Sequence, residues 1–165
     1  NPEDRLISVN SFSKAWSMTG WRLGWITAPV ALESTFAMLT EFNIAGPPGF
    51  IQQAGERMIR EGEPEVALLR ERLQVGYSRV AHALADLPAV RFIQPDGAFY
   101  CFFAVEGMQD SLAYATSLLH TARVGLAPGV AFGAVGEGYL RLCYAQPPRL
   151  LDDALERLVT QLGAS

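Results

Sequence analysis

Apolar positions change their spacing several times along the chain, and each change predicts an element. Residues 5–13 (RLISVNSFS) form a short apolar run with β-branched members, which predicts a buried strand. A polar, glycine-containing loop follows from Lys14 to Arg22, and Leu23 to Ala28 predicts a second short strand stopped by Pro29. From Val30 to Asn43 the spacing of Leu32, Phe36, Leu39 and Phe42 is helical. Gly46–Gly49 (GPPG) cannot continue a helix and is the clearest linker in the sequence.

Phe50–Glu61 and Pro64–Leu87 predict helices separated by a break near Gly62, with Arg70, Glu71 and Arg72 outward and Leu68, Leu69, Leu73 and Val75 as inward candidates. After Pro88 the period shifts to two. AVRFI, a QPDG turn and AFYCFFAV predict a hairpin. Asp110–Arg123 is helical, with Leu112, Ala115, Leu118 and Leu119 at helical spacing. A glycine-rich loop (VGLAPGVAFG) leads to the strand GYLRLCYA, where Leu140, Leu142 and Tyr144 alternate with Tyr139, Arg141 and Cys143. Pro148 starts a last helix with Leu151, Leu155, Leu158 and Leu162 on one side.

Residues 50–165 thus predict an α+β unit: a small, largely antiparallel sheet covered by helices. Residues 1–45 predict two strands and a helix, which have no sheet of their own and cannot form a stable core alone. They are expected to be the tail of a larger α/β domain. The expected domains are 1–45, the end of that large domain, and 46–165, an interdomain helix and a small C-terminal domain.

Composition narrows the chemistry. The chain has 165 residues, a net charge of -4 and no basic run, so charge gives no case for nucleic acid or an anionic membrane as a partner. No apolar stretch approaches the roughly 18 residues of a membrane span. NPEDRLISVN lacks the layout of a signal peptide. Cys101 and Cys143 lie in apolar runs and are expected to be free and buried, which suits a reducing cytoplasm. His82 and His120 have no metal-ligand partner at useful spacing, and no metal site is expected.

One residue stands out. Twelve of the thirteen Lys and Arg residues are arginine, and Lys14 is the sole lysine. Arginine cannot replace lysine where a deprotonatable amine is needed. Lys14 sits in Ser11–Trp25 (SFSKAWSMTGWRLGW), at a strand end, with the hydroxyls of Ser11 and Ser13 before it and the Arg22 fork eight residues after. A Schiff-base lysine needs a rigid base, an amine that can lose its proton, and an anion site nearby. Arginine and hydroxyls suit a phosphate, and Gly20 is expected to let the loop turn back. Trp16, Trp21 and Trp25 are expected to be core residues that could otherwise line a pocket.

This string resembles the lysine motif of class I/II aminotransferases, the aspartate-aminotransferase-like branch of fold type I. The resemblance implies pyridoxal 5'-phosphate as cofactor, held by Lys14 as a Schiff base, with Lys14 also moving the proton between substrate Cα and cofactor. It implies that Ser11 and Arg22 bind the phosphate and that Ser13 helps shape that site. Two further segments match in order. PDGAFYCFF, Pro95–Phe103, resembles the family's proline-x-glycine-alanine-aromatic segment, although Asp96-Gly97 is equally explained by turn geometry. GVAFGAVGEGYLRLCYA, Gly129–Ala145, resembles the loop and strand that carry a substrate-binding arginine, here Arg141. On the residues alone, a half-buried arginine serves equally to pair with an acid of the protein itself. The resemblance implies that it clamps the substrate α-carboxylate.

The resemblance covers about half of a family member. The remainder is expected to supply a phosphate-binding turn, a stacking aromatic, an aspartate for the pyridine nitrogen, and an asparagine and a tyrosine near the ring oxygen, so this stretch alone is not expected to be a competent enzyme. Where some members place a serine or threonine that reaches the neighbouring subunit, this chain has Ile44, Ala45 and Gly46. The implied activity is transamination between an α-amino acid and a 2-oxo acid, by a cytoplasmic homodimer in the full-length protein. A pyridoxal-phosphate-dependent carbon–sulfur β-lyase and the effector domain of a transcriptional regulator share the same motifs.

Overall fold

The computed structural model describes residues 5–163 and divides them between two compact units, which meet in sequence at Arg70–Glu71. Asn1–Asp4, the start of the segment read above for a signal peptide, lie outside the described residues.

In the first unit, β1 (Ser8–Ser11) and β2 (Gly24–Thr27) form an antiparallel hairpin, with Ser8 opposite Thr27 and Ser11 opposite Gly24. The two strands expected to lack a sheet therefore pair with each other. The spacing of Leu32, Phe36, Leu39 and Phe42 gives the expected helix α1 (Glu33–Ile44), preceded by a 3-10 turn at Val30–Leu32. This helix buries no residue, and Phe42 is 83% exposed. Its C-cap, Ala45, takes the left-handed conformation before the GPPG linker. Helix α2 (Gly49–Glu61) follows.

A small core of Phe12, Met18 and Leu23 gathers behind the hairpin, with Trp16, Trp25, Ile51, Ala54 and Met58 packed around it. Gly55 lets α2 approach closely, because a Cβ there would collide with Leu23 and crowd Phe12. Trp16 and Trp25 flank the Phe12 ring at 5.0 and 4.9 Å, as expected of core tryptophans. Trp21 does not join them and is 44% exposed.

Helix α3 (Glu63–Ala85) begins in the first unit and continues into the second. Leu69 and Leu73 are half-buried, but the inward candidates Leu68 and Val75 are exposed. Within the second unit the buried line runs through Gly76, Val80 and Leu84. Gly76 belongs to it because the helix presses there on the Tyr144 carbonyl, leaving no room for a Cβ. The sheet of this unit contains β3 (Val90–Phe92), β4 (Tyr100–Val105), β5 (Ala127–Pro128) and β6 (Tyr139–Cys143), in the order β3-β4-β6-β5, antiparallel throughout.

Its inner face carries Cys101, Phe103, Val105, Leu140 and Leu142, all buried. Helix α4 (Ser111–Thr121) adds Ala115 and Leu118, while Leu112 and Leu119 point to solvent. Helix α5 (Pro148–Gly163) adds the expected stripe of Leu151, Leu155, Leu158 and Leu162. Burial pushes the Cys101 thiol up to about 12, so it is an inert packing residue at neutral pH. Cys143 is half-buried, and both cysteines are free.

Candidate active site

The Lys14 segment is a loop closed on itself at the tip of the β1–β2 hairpin. The Phe12 amide donates to the Leu23 carbonyl at 3.1 Å, which carries strand pairing one step past Ser11 and Gly24. The Met18 amide donates to the Phe12 carbonyl at 3.3 Å, and the Ser17 amide to that of Lys14 at 3.2 Å. Burial of Phe12 and Met18 anchors the loop from inside, leaving Lys14 exposed on its outer side.

Four polar residues form one chain of contacts. The Ser13 amide donates to Ser11 Oγ at 3.1 Å, Thr19 Oγ1 donates to the Ser13 carbonyl at 3.0 Å, and Arg22 Nη1 donates to the Thr19 carbonyl at 2.9 Å. Ser11, Ser13 and Arg22 are thereby tied together beside Lys14. Sequence reasoning missed Thr19, which bridges the two ends; it follows the motif's methionine, but nothing in its spacing distinguishes it from a surface threonine.

The loop turns back differently from expectation. Gly20 is not left-handed, and a Cβ there would meet nothing within 4 Å. The left-handed residues are Ser17 (φ 55°) and Arg22 (φ 53°). Two non-glycine residues in that region within one short loop are a local strain that the surrounding core must hold. No acidic residue lies between Ser11 and Arg22, so Lys14 and Arg22 leave the loop cationic. Its hydroxyls, amides and cations fit a phosphate dianion, and its primary amine fits an aldehyde.

Arg141 lies in the second unit, on the outer face of the sheet. Phe102 is its partner across β4. Its guanidinium carbon lies 4.2 Å from the Tyr100 ring centroid and 4.4 Å from that of Phe132, so the group packs on two aromatic rings. Among the described residues it forms no ion pair with an acidic side chain. The alternative in which Arg141 pairs with an acid of the same chain thus finds no partner there.

Phe132 comes from the glycine-rich loop, which is folded against itself. A Cβ on Gly129 would strike the Gly136 carbonyl, and one on Gly136 would strike that of Gly129. Glu137 latches the loop to the start of α4: Oε1 accepts from the Ser111 amide at 2.6 Å and the Gly138 amide at 3.0 Å, while Ser111 Oγ accepts from the Val130 amide at 3.2 Å. Asp110 caps the same helix by accepting from the Ala113 amide at 2.9 Å.

These bonds, first those from the Gly138 amide and then those from Ser111, hold the Glu137 carboxyl below its ordinary range. A depressed folded-state value means the latch is fully present above the unfolded value and is lost as pH falls through the folded one. Glu137→Gln is expected to speed hydrogen exchange at the Ser111 and Gly138 amides at neutral pH. In the native protein the same change should appear only below about pH 4.5, the ordinary carboxyl value. Equal exchange in both proteins at neutral pH would show that the latch does not hold the loop.

In the Pro95–Phe103 segment the turn-geometry account of Gly97 does not hold. Gly97 is outside the left-handed region, and a Cβ there would meet nothing within 4 Å. The left-handed residue is Ala98 (φ 63°), whose carbonyl accepts from Tyr144 Oη at 3.1 Å. His82 and His120 are exposed, and no group of three or more metal-ligating side chains lies together among the described residues.

Residues 1–158 match the family model of class I and II aminotransferases. The chain is 36% identical over 160 residues to an aspartate aminotransferase of Pyrococcus horikoshii, covering 95% of this chain and 41% of that protein. It is 32% identical to a probable N-acetyl-LL-diaminopimelate aminotransferase of Bacillus subtilis, over 94% of this chain and 39% of that protein. The crystal structure of an aromatic aminotransferase from Pyrococcus horikoshii superposes with a TM-score of 0.91 at 33% identity, covering 98% of this chain and 44% of that one. The chain belongs to the class I and II aminotransferase family. It spans about two fifths of the length of these relatives.

Proposed function

We propose that the protein containing this chain transfers an amino group between an α-amino acid and a 2-oxo acid with pyridoxal 5'-phosphate. The observation that carries the reading is the Lys14 loop. It combines the sole lysine, a hydrogen-bonded Ser13–Thr19–Arg22 chain and two cationic residues, Lys14 and Arg22, at one hairpin tip. The family and the activities for which these relatives are named support it. Bound there, the cofactor would supply an aldehyde for the amine and a ring that accepts electrons from the substrate Cα.

The residues of the chain take these roles. Lys14 Nζ attaches the cofactor and then moves the proton at the substrate Cα. Arg22 and Ser11 hold the phosphate, with Ser13 shaping the site. Arg141 donates from its N–H edge to the substrate α-carboxylate.

We place residues 1–45 in the large domain, with the interdomain helix and small domain in 46–165. The proposed working form is a homodimer of the full-length protein in the cytoplasm. Among the described residues no helix is long and apolar enough to cross a membrane.

The test is absorbance from 300 to 500 nm after adding pyridoxal phosphate to the full-length protein and to its Lys14→Ala variant. A visible band present in the first and lost in the second is the expected result. The same band in both would remove Lys14 from cofactor attachment. After amino acid alone is added, conversion to the pyridoxamine form is expected; release of pyruvate and ammonia would indicate the lyase instead.

A further inference from the structure

The outer face of the second unit's sheet carries a continuous row of aromatic rings and two arginines. Arg91 donates to Tyr139 Oη and lies 5.3 Å from the Tyr139 ring centroid. Tyr139 neighbours Phe102 at 6.2 Å, and Phe102 meets Phe132 edge-on at 5.4 Å. The Arg141 guanidinium then lies over both the Phe132 and the Tyr100 rings. Tyr100 and Phe102 are on β4, Tyr139 and Arg141 on β6, and Phe132 on the latched loop.

A guanidinium has two flat, weakly hydrated faces and a rim of N–H donors in its plane. Two rings packed on one guanidinium restrict rotation of a long side chain, and rings take up its faces rather than its N–H donors. A flat carboxylate meets such a rim with two parallel hydrogen bonds, and fixing the plane beforehand lowers the ordering cost of binding. A lysine ammonium has no faces to hold.

We propose that Tyr100 and Phe132 are positioning residues for Arg141. They hold its plane so that its edge receives a carboxylate, and they contribute through the arginine rather than by touching the ligand's side chain. This rests on the reading of Arg141 as the carboxylate anchor. Phe102 braces Phe132, and the Glu137 latch with the Gly129–Gly136 crossing fixes the loop that delivers it.

The experiment uses the full-length protein with its cofactor and two unreactive carboxylates, propionate and 3-phenylpropionate. Their dissociation constants are measured by titrating the visible band. Phe132→Leu and Tyr100→Leu are expected to weaken both probes by the same factor, about tenfold, the size a half-buried cation–π contact allows. Phe132→Tyr and Tyr100→Phe should restore affinity. In an Arg141→Lys background, Phe132→Leu should change affinity less than about twofold.

Loss of the phenyl probe alone would overturn the proposal, since the rings would then touch the ligand directly. So would parallel loss of cofactor affinity and thermal midpoint, which marks a structural role, and so would unchanged affinity for both probes. If Arg141→Ala binds both probes like the native protein, the anchor reading itself fails. Phe132 is 45% exposed, so its truncation should leave the fold intact.

Discussion

Replacing Lys14 by arginine in the full-length protein is expected to reduce turnover by about 10²–10⁴-fold or more, the range a positioned proton-transfer group contributes. The substitution keeps the positive charge and nearly the same reach, so any effect comes from the chemistry of the group. A guanidinium stays protonated in proteins and is a poor nucleophile toward an aldehyde. The other twelve cations of the chain are arginines, so the protein tolerates arginine widely. Lys14 is exposed at the hairpin tip, and the loop is anchored by Phe12 and Met18 instead, so the variant should fold. Initial-rate assays with an unchanged thermal midpoint would check this. Turnover within a few-fold of the native value would show that Lys14 is not the reacting amine.

The largest stability effect is expected at Phe103. It is 0% exposed, sits on the inner face of β4 opposite Leu140, and belongs to the core that contains Val80, Leu84 and Leu158. Phe103→Ala is expected to cost about 3–5 kcal/mol through lost burial and an unfilled cavity. Leu112→Ala on α4, where the side chain is 58% exposed, should stay within about 0.5 kcal/mol. Hydrogen exchange at the β4 and β6 amides would read the loss in the second unit directly. A similar small effect for both variants would show that the core collapses to fill the space.

Much of the second unit was legible because its signals are local and agree. The leucines of α5 recur at helical spacing, and β6 alternates strictly, so period alone assigned both buried faces. Where apolar residues surround a helix, period decides little. On α3, Leu68 and Val75 are exposed while Gly76 is buried, because close approach to the Tyr144 carbonyl, and not hydrophobicity, selects that face. Helix α1 shows the converse, since its apolar spacing formed a helix that buries nothing in this chain.

The Lys14 loop was legible in residue type but not in geometry. Its motif named Ser11, Ser13 and Arg22, and the hydrogen bonds tie them together. The turn was assigned to Gly20, whereas Ser17 and Arg22 take the left-handed conformation under the constraint of the buried Phe12 and Met18. Phe132 and Tyr100 were not singled out for Arg141, because their meeting depends on a loop, folded by the Gly129–Gly136 crossing, that follows β4 only after helix α4 in the chain yet brings Phe132 to the same guanidinium as Tyr100.

The strand order also determines how each unit can meet another extended chain. The outer strands of the four-stranded sheet are β3 and β5. β5 has two residues, one of them Pro128, which offers no amide hydrogen, and β3 has three, with the exposed cation Arg91 at its centre. Short, charged or proline-bearing edges give an incoming strand little to pair with. The hairpin of the first unit has four-residue strands, and Val9 on β1 is 75% exposed. Within the described residues, the hairpin that carries Lys14 therefore offers the longer strands for pairing with a further strand, and the sheet that carries Arg141 is guarded at both margins.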